Sequence, residues 1–134
     1  MTIVVPGAGE IIALSYFVNK TTTTENIKYQ MFATNITPSH SDTAGTYTIA
    51  AGGGYADITM TGASWTVSGS NPATAAYAQQ TWTFTGALTT NPTIYGYIGV
   101  GATTGTIFIA EAFTSFTPAN NGDTIKLSPV ITAT

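Results

Sequence analysis

The chain contains no cysteine and no arginine. Without cysteine there is no disulfide framework and no thiolate metal site. A cytoplasmic assembly route fits that absence. Its only basic residues besides His40 are Lys20, Lys28 and Lys126. With net charge −3 and no arginine, it lacks the means to neutralise a phosphate backbone, which argues against nucleic-acid binding. Charged residues make up 7% of the chain, against a usual share of ~25%. No apolar run reaches the roughly 18 residues of a membrane span. The first residues lack the basic segment of a secretory signal, so the expectation is a protein made and used without a leader of its own.

What is present points to a folded β protein. The 134 residues suit one domain. Threonine, glycine and alanine fill the place of charges. Seven Tyr, six Phe and two Trp supply the apolar bulk, and their regular alternation argues for β-structure rather than disorder.

The densest pattern runs from Tyr77 to Phe113. Trp82 and Phe84 alternate with Thr81, Thr83 and Thr85, the period of a half-buried strand. Ile94, Gly96, Ile98 and Val100 fall on one face of the next run, Tyr95 and Tyr97 on the other. Ile107 and Ile109 oppose Phe108, Ala110 and Ala112 in the third. The spacing predicts an antiparallel meander inside a jelly-roll-like β-sandwich. Trp82, Phe84, Ile98, Ile109 and Leu127 are the expected core.

Flanking segments complete the outline. Thr2-Ile3-Val4-Val5 is β-branched and stops at Pro6-Gly7. Residues 1–6 read either as a first strand or as an extended arm that contacts a partner by adding to a sheet edge. Gly9–Asn19 is the single helix candidate. Ile11, Leu14, Ser15 and Val18 lie near one face, Glu10 at the first turn and Lys20 just past the last. That face is expected to pack on the sheets. Ile27–Thr34 alternates with Tyr29 and Met31 inward, while Phe32 marks a second packing surface. Asn35–Ala51 reads as a long covering loop with a short apolar patch at Tyr47 and Ile49. Tyr55–Met60 and Ser64–Val67 read as strands, and Ser68–Ala76 as a loop. Asn121-Gly122 is a hairpin signal. Ile125–Ile131 closes the chain as a strand that Pro129 confines to an edge or a bulge.

The residues that carry chemistry are few. Ser39-His40-Ser41-Asp42 holds a nucleophile, a base and an acid, but four consecutive loop residues do not make a triad. Glu10, Glu25, Asp42, Asp57, Glu111 and Asp123 offer carboxylates. Only Glu111 sits in an apolar run, and its plainer role is structural. Asn120–Asp123 lacks the spacing of a calcium loop. No metal or cofactor is expected. Trp65, Trp82, Tyr77, Tyr95 and Tyr97 suggest a sugar-stacking platform, although alternating strand aromatics serve packing more often. Tyr95 and Tyr97 would share one face, as a ligand platform or a subunit contact.

GGGYA (Gly52–Ala56), the strand leading to Trp65, YAQQTWTF (Tyr77–Phe84), YGY (Tyr95–Tyr97), TG…AEAF (Thr104–Phe113) and NGDTIKLSP (Asn121–Pro129) occur in that order. With the opening VPGAGE, this resembles small β-rich virion proteins of tailed bacteriophages, both capsid decoration (cement) proteins and tail-associated proteins. The resemblance implies a non-enzymatic, oligomeric structural protein, assembled in the host cytoplasm and placed on the virion. The expected role is a homotrimeric decoration protein on the major capsid protein lattice. The alternative is a tail fibre or adhesin module that binds surface glycan through exposed aromatics. Neither role involves nucleic acid or a membrane.

Overall fold

The computed structural model describes residues 3–18, 25–69 and 72–133. It contains one α-helix, α1 (Gly7–Phe17), and nine strands. The strands are β1 (Ile27–Phe32), β2 (Ile58–Met60), β3 (Thr66–Ser68), β4 (Ala73–Ala76), β5 (Gln80–Thr83), β6 (Ile94–Gly101), β7 (Ile107–Phe116), β8 (Thr124–Leu127) and β9 (Val130–Ala133). All pairings are antiparallel. Three sheets form, in the orders β2-β1-β6-β7, β3-β4-β9 and β5-β8. The mainly-β, sandwich-like class therefore holds. The finer jelly-roll order does not follow from these pairings.

The four-stranded sheet is the body of the molecule because both of its faces are covered. On one face Tyr29, Met31, Tyr97 and Ile109 meet Trp82, Phe84 and Leu88. Tyr29 and Tyr97 stack with ring centroids 5.1 Å apart. On the other face Phe32, Ile98, Val100 and Ala110 form a second cluster. Tyr47 and Ile49 of the long loop close it, as does Ala8 of α1. Phe32 is thus the second packing surface that its break in the alternation signals. Of the expected core, Trp82, Phe84, Ile98 and Ile109 are buried and Leu127 is half-buried.

Several expectations need correction. The three central runs are not a meander, because β5 pairs with β8 and only β6 and β7 pair with each other. The segment after β5 is too long for a tight turn and is tied elsewhere. Thr85 and Thr89 donate their N–H groups to the carbonyls of Gly53 and Ala51, each at 2.8 Å. Gly52, Gly53 and Gly54 all sit at positive φ (81°, 57° and 74°), which only glycine adopts cheaply in succession. Asn121-Gly122 turns the chain between two sheets instead of closing a hairpin, since β7 and β8 are not partners. The closing strand is two strands, β8 and β9, in different sheets, with the break at Ser128-Pro129. The second strand of the middle segment is β3, after a 3-10 turn at Gly62–Ser64. The presumed loop beyond it contains β4.

The helix lies two residues earlier than its pattern predicts. The Pro6 carbonyl accepts from the N–H groups of Gly9 (2.8 Å) and Glu10 (3.2 Å), so the first turn starts directly after the proline. The helix packs against β7 at Gly9, where an added Cβ would stand 2.5 Å from the Phe108 carbonyl oxygen. This contact turns the predicted inner face outward. Ile11, Leu14 and Val18 are 67%, 64% and 64% exposed. Lys20 lies outside the described residues.

Candidate functional site

The proposed N-terminal contact Thr2-Ile3-Val4-Val5 is engaged within the chain where it is described. Val4 and Ala110 exchange two backbone hydrogen bonds of 2.8 Å, so the run lies along the outer edge of β7. Ile3 packs against the main core. Val5 is 38% exposed. Thr2 lies outside the described residues. A bridge of one residue on a ten-residue strand is a light attachment for an edge of that length.

Tyr95 and Tyr97 do not share a face. The pairing of β6 with β7 shifts between Ile94 and Gly96. A shift of this kind changes which side of the sheet the following residues face. Tyr97 joins the main core with Ile94, while Tyr95 packs beside Ile98 and Val100. A second shift, between Gly99 and Val100, places Ile107 and Ile109 on opposite faces. Tyr97 and Trp82 are both buried. The stacking platform is therefore not assembled: Trp65 and Tyr77, an edge-on pair at 5.1 Å, remain half-exposed together, and Tyr95 is half-exposed on the opposite face of the body.

Each of the six carboxylates has a structural partner. Glu25 accepts from the Thr104 hydroxyl (2.6 Å) and from the N–H groups of Thr103 and Thr104, holding the β6–β7 turn. Those bonds, led by the Thr104 hydroxyl, hold its carboxyl below the usual glutamate value. Asp42 accepts from the Ser39 N–H and the Tyr47 hydroxyl, both at 2.7 Å. Asp57 accepts from Gln30 and Tyr55, each at 2.8 Å, with Lys28 at 3.7 Å. Asp123 accepts from the N–H groups of Ala119 and Asn120, which lower its pKa. Glu10 lies 3.6 Å from His40. Glu111 is buried and accepts a hydrogen bond from the Tyr97 hydroxyl. Burial first, and Glu111 second, push the Tyr97 phenol far above its ordinary value.

These partnerships decide against the chemical constellations. Asp42 faces backbone and Tyr47, His40 faces Glu10, and Ser39 bonds to Ser41. No relay links them. Among the described residues no group of three His, Asp or Glu side chains is placed to hold a metal ion. Two shallow clefts of about 160 and 290 Å³ lie beside Trp82 and beside Glu25. Trp82 presents almost no surface to the first, and the Glu25 carboxylate beside the second is already saturated by its turn.

The exterior is what stands out. Besides Ile11, Leu14 and Val18, the large exposed apolar side chains among those described are Val5, Val67 and Val130, with Val67 74% exposed. The sequence pattern locates the helix but gives no sign of which side of it the body covers, because α1 is apolar nearly all round. No helix among the described residues is long and apolar enough to cross a membrane. In comparisons with known protein families, characterised proteins and solved structures, the chain matches none.

Proposed function

We propose that this protein is a non-enzymatic structural component of a virion, a capsid decoration protein that binds an assembled shell and stabilises it. The observation that carries this reading is the exterior. The carboxylates are occupied within the chain, and apolar side chains of α1 stand in water on a domain with few charges. Such a surface is poorly defended against association, so it suits a protein that works in an assembly. The phage and capsid parts of the reading come from the sequence resemblance. Its partners are other copies of itself, as a trimer, and the major capsid protein lattice.

The mechanism is mass action. A protein that binds only the assembled shell shifts the equilibrium toward that shell, by an amount set by its concentration relative to Kd. No bond need be made or broken. The test is to incubate the purified domain with undecorated phage shells, sediment them and heat them. Retention spread over the whole shell, with a higher temperature of shell disruption, is the expected result. Absence of retention overturns the role. Retention of a few copies at the tail alone favours the fibre reading.

A further inference from the structure

We infer that Asn121 is a site of covalent modification, a spontaneous conversion to aspartate and isoaspartate whose rate the fold sets through the hydrogen bond from Gly122 to Phe84. This does not depend on the assembly reading above.

The sequence singles out the residue. Asn121 is the one asparagine of the chain that is followed by glycine. Asn26 and Asn35 precede isoleucine, and Asn71 and Asn91 precede proline. The reaction needs the backbone nitrogen of the next residue to reach the asparagine side chain. A β-branched neighbour crowds that approach, and a proline has no N–H to give up. Glycine imposes neither limit. Asn120, Asn121 and Gly122 are all exposed, and a Cβ added at Gly122 would meet nothing within 4 Å. A ring therefore has room to form on the outer side of the turn.

The chemistry needs only water. The Gly122 nitrogen gives its proton to solvent and attacks Cγ of Asn121. The new N–Cγ bond closes a succinimide ring as the Cγ–Nδ2 bond breaks, and Nδ2 leaves with a solvent proton as ammonia. Water then adds to one of the two ring carbonyls, and the bond from that carbon to the Gly122 nitrogen breaks. Opening at Cγ gives aspartate. Opening at the backbone carbonyl gives isoaspartate, in which the main chain runs through the former side chain.

The fold holds the attacking nitrogen. The Gly122 N–H donates to the Phe84 carbonyl at 2.9 Å, and the Phe84 N–H donates to the Asp123 carbonyl at 2.8 Å. These two bonds continue the β5–β8 ladder beyond Thr83 and Thr124. The Asp123 N–H reaches the Asn120 carbonyl at 3.2 Å. The Asp123 carboxylate takes the N–H groups of Ala119 and Asn120, each at 2.8 Å. A nitrogen whose proton is held by Phe84 is not free to attack, so the reaction waits on local opening of the turn. It is also one-way. Isoaspartate lengthens the main chain at position 121, and the two bonds at Phe84 no longer close together. Phe84 is fully buried in the main core, so the change reaches the interior.

The test keeps the full chain folded at neutral pH, with a parallel sample unfolded in guanidinium. Both are followed for weeks by peptide mass spectrometry, with isoaspartate scored by enzymatic methyl labelling. Asn121 should convert before any other asparagine in both samples, and at least tenfold more slowly in the folded one. Asp123→Ala loosens the turn without touching the reacting pair. It should speed conversion by the same factor as hydrogen exchange at the Gly122 N–H. Equal rates in folded and unfolded chains, or a variant that exchanges faster without converting faster, overturn the gate. Conversion first at another asparagine overturns the site. Isoaspartate-containing protein, separated from the rest by its added charge, should melt below the unmodified chain, whereas Asn121→Ser should keep its Tm through the same incubation. Equal melting of the two fractions overturns the coupling to Phe84.

Discussion

The four-stranded and three-stranded sheets of this molecule behave as opposites. In β2-β1-β6-β7 the strand β6 is buried over nearly all its length and β7 over its first half, where a carboxylate, Glu111, is enclosed with its donor. In β3-β4-β9 no residue carries a charge. All of β3 is exposed and all of β4 is half-buried. The difference lies in what covers them. The first sheet has Trp82 and Phe84 on one side and the Tyr47 loop on the other. The second contributes Ile131 to the core and leaves Val67 and Val130 outside. The first sheet carries aromatic side chains that meet a second layer on each face, and the strands of the second carry none.

Mutations should separate the two sheets, and the largest effect belongs to the covered one. Ile98→Ala removes a side chain enclosed between Phe32 and Ala110, at a cost of about 2–5 kcal/mol in urea unfolding. Deleting residues 1–5 comes next. It takes away the two hydrogen bonds at Ala110 and the packing of Ile3, and should lower stability by about 2–4 kcal/mol. An unchanged melt would return the run to the role of a free arm. Tyr97→Phe strips the buried Glu111 carboxylate of its phenol donor, a loss of about 1–3 kcal/mol that Glu111→Gln, with an amide oxygen still able to accept, should not equal.

Acid acts on the turns around the sheets. Glu25 and Asp123 have folded-state pKa values below their unfolded ones. The unfolded chain therefore binds more protons between those values, and stability rises with pH across that window. The contribution is complete above the ordinary carboxylate range and is lost as pH falls through the lowered values. Both residues sit in half-exposed turns, so the fall in Tm should be shallow, and Glu25→Gln should make it shallower still. The smallest effect is expected from Val67→Ala on β3, within about 0.5 kcal/mol. A cost near that of Ile98→Ala would show that the three-stranded sheet is covered in solution, which would erase the contrast.

The parts of this fold legible in the sequence were those where one face is buried and the register is unbroken. Trp82 and Phe84 alternate with threonines and lie in the core. Tyr29 and Met31 behave the same way. Alternation failed at β4, because Ala73-Thr74-Ala75-Ala76 has no strong side-chain preference and becomes a strand through pairing with β3 and β9. It failed at Tyr95 and Tyr97 because a register shift is a property of two strands together. The candidate surface was half legible. The apolar positions of α1 were apparent, but their outward direction depends on Gly9 lying against Phe108, a contact between distant segments.

The bridge between Val4 and Ala110 also sets an order of events during synthesis. Val4 leaves the ribosome well before β7, the strand whose edge it occupies. Translation proceeds at roughly 5–20 residues per second. For several seconds, on that scale, the N-terminal run and the apolar helix behind it have no strand to lie on. The interval before β7 emerges is thus when the apolar helix is barest, and slowing translation between α1 and β7 should lengthen it.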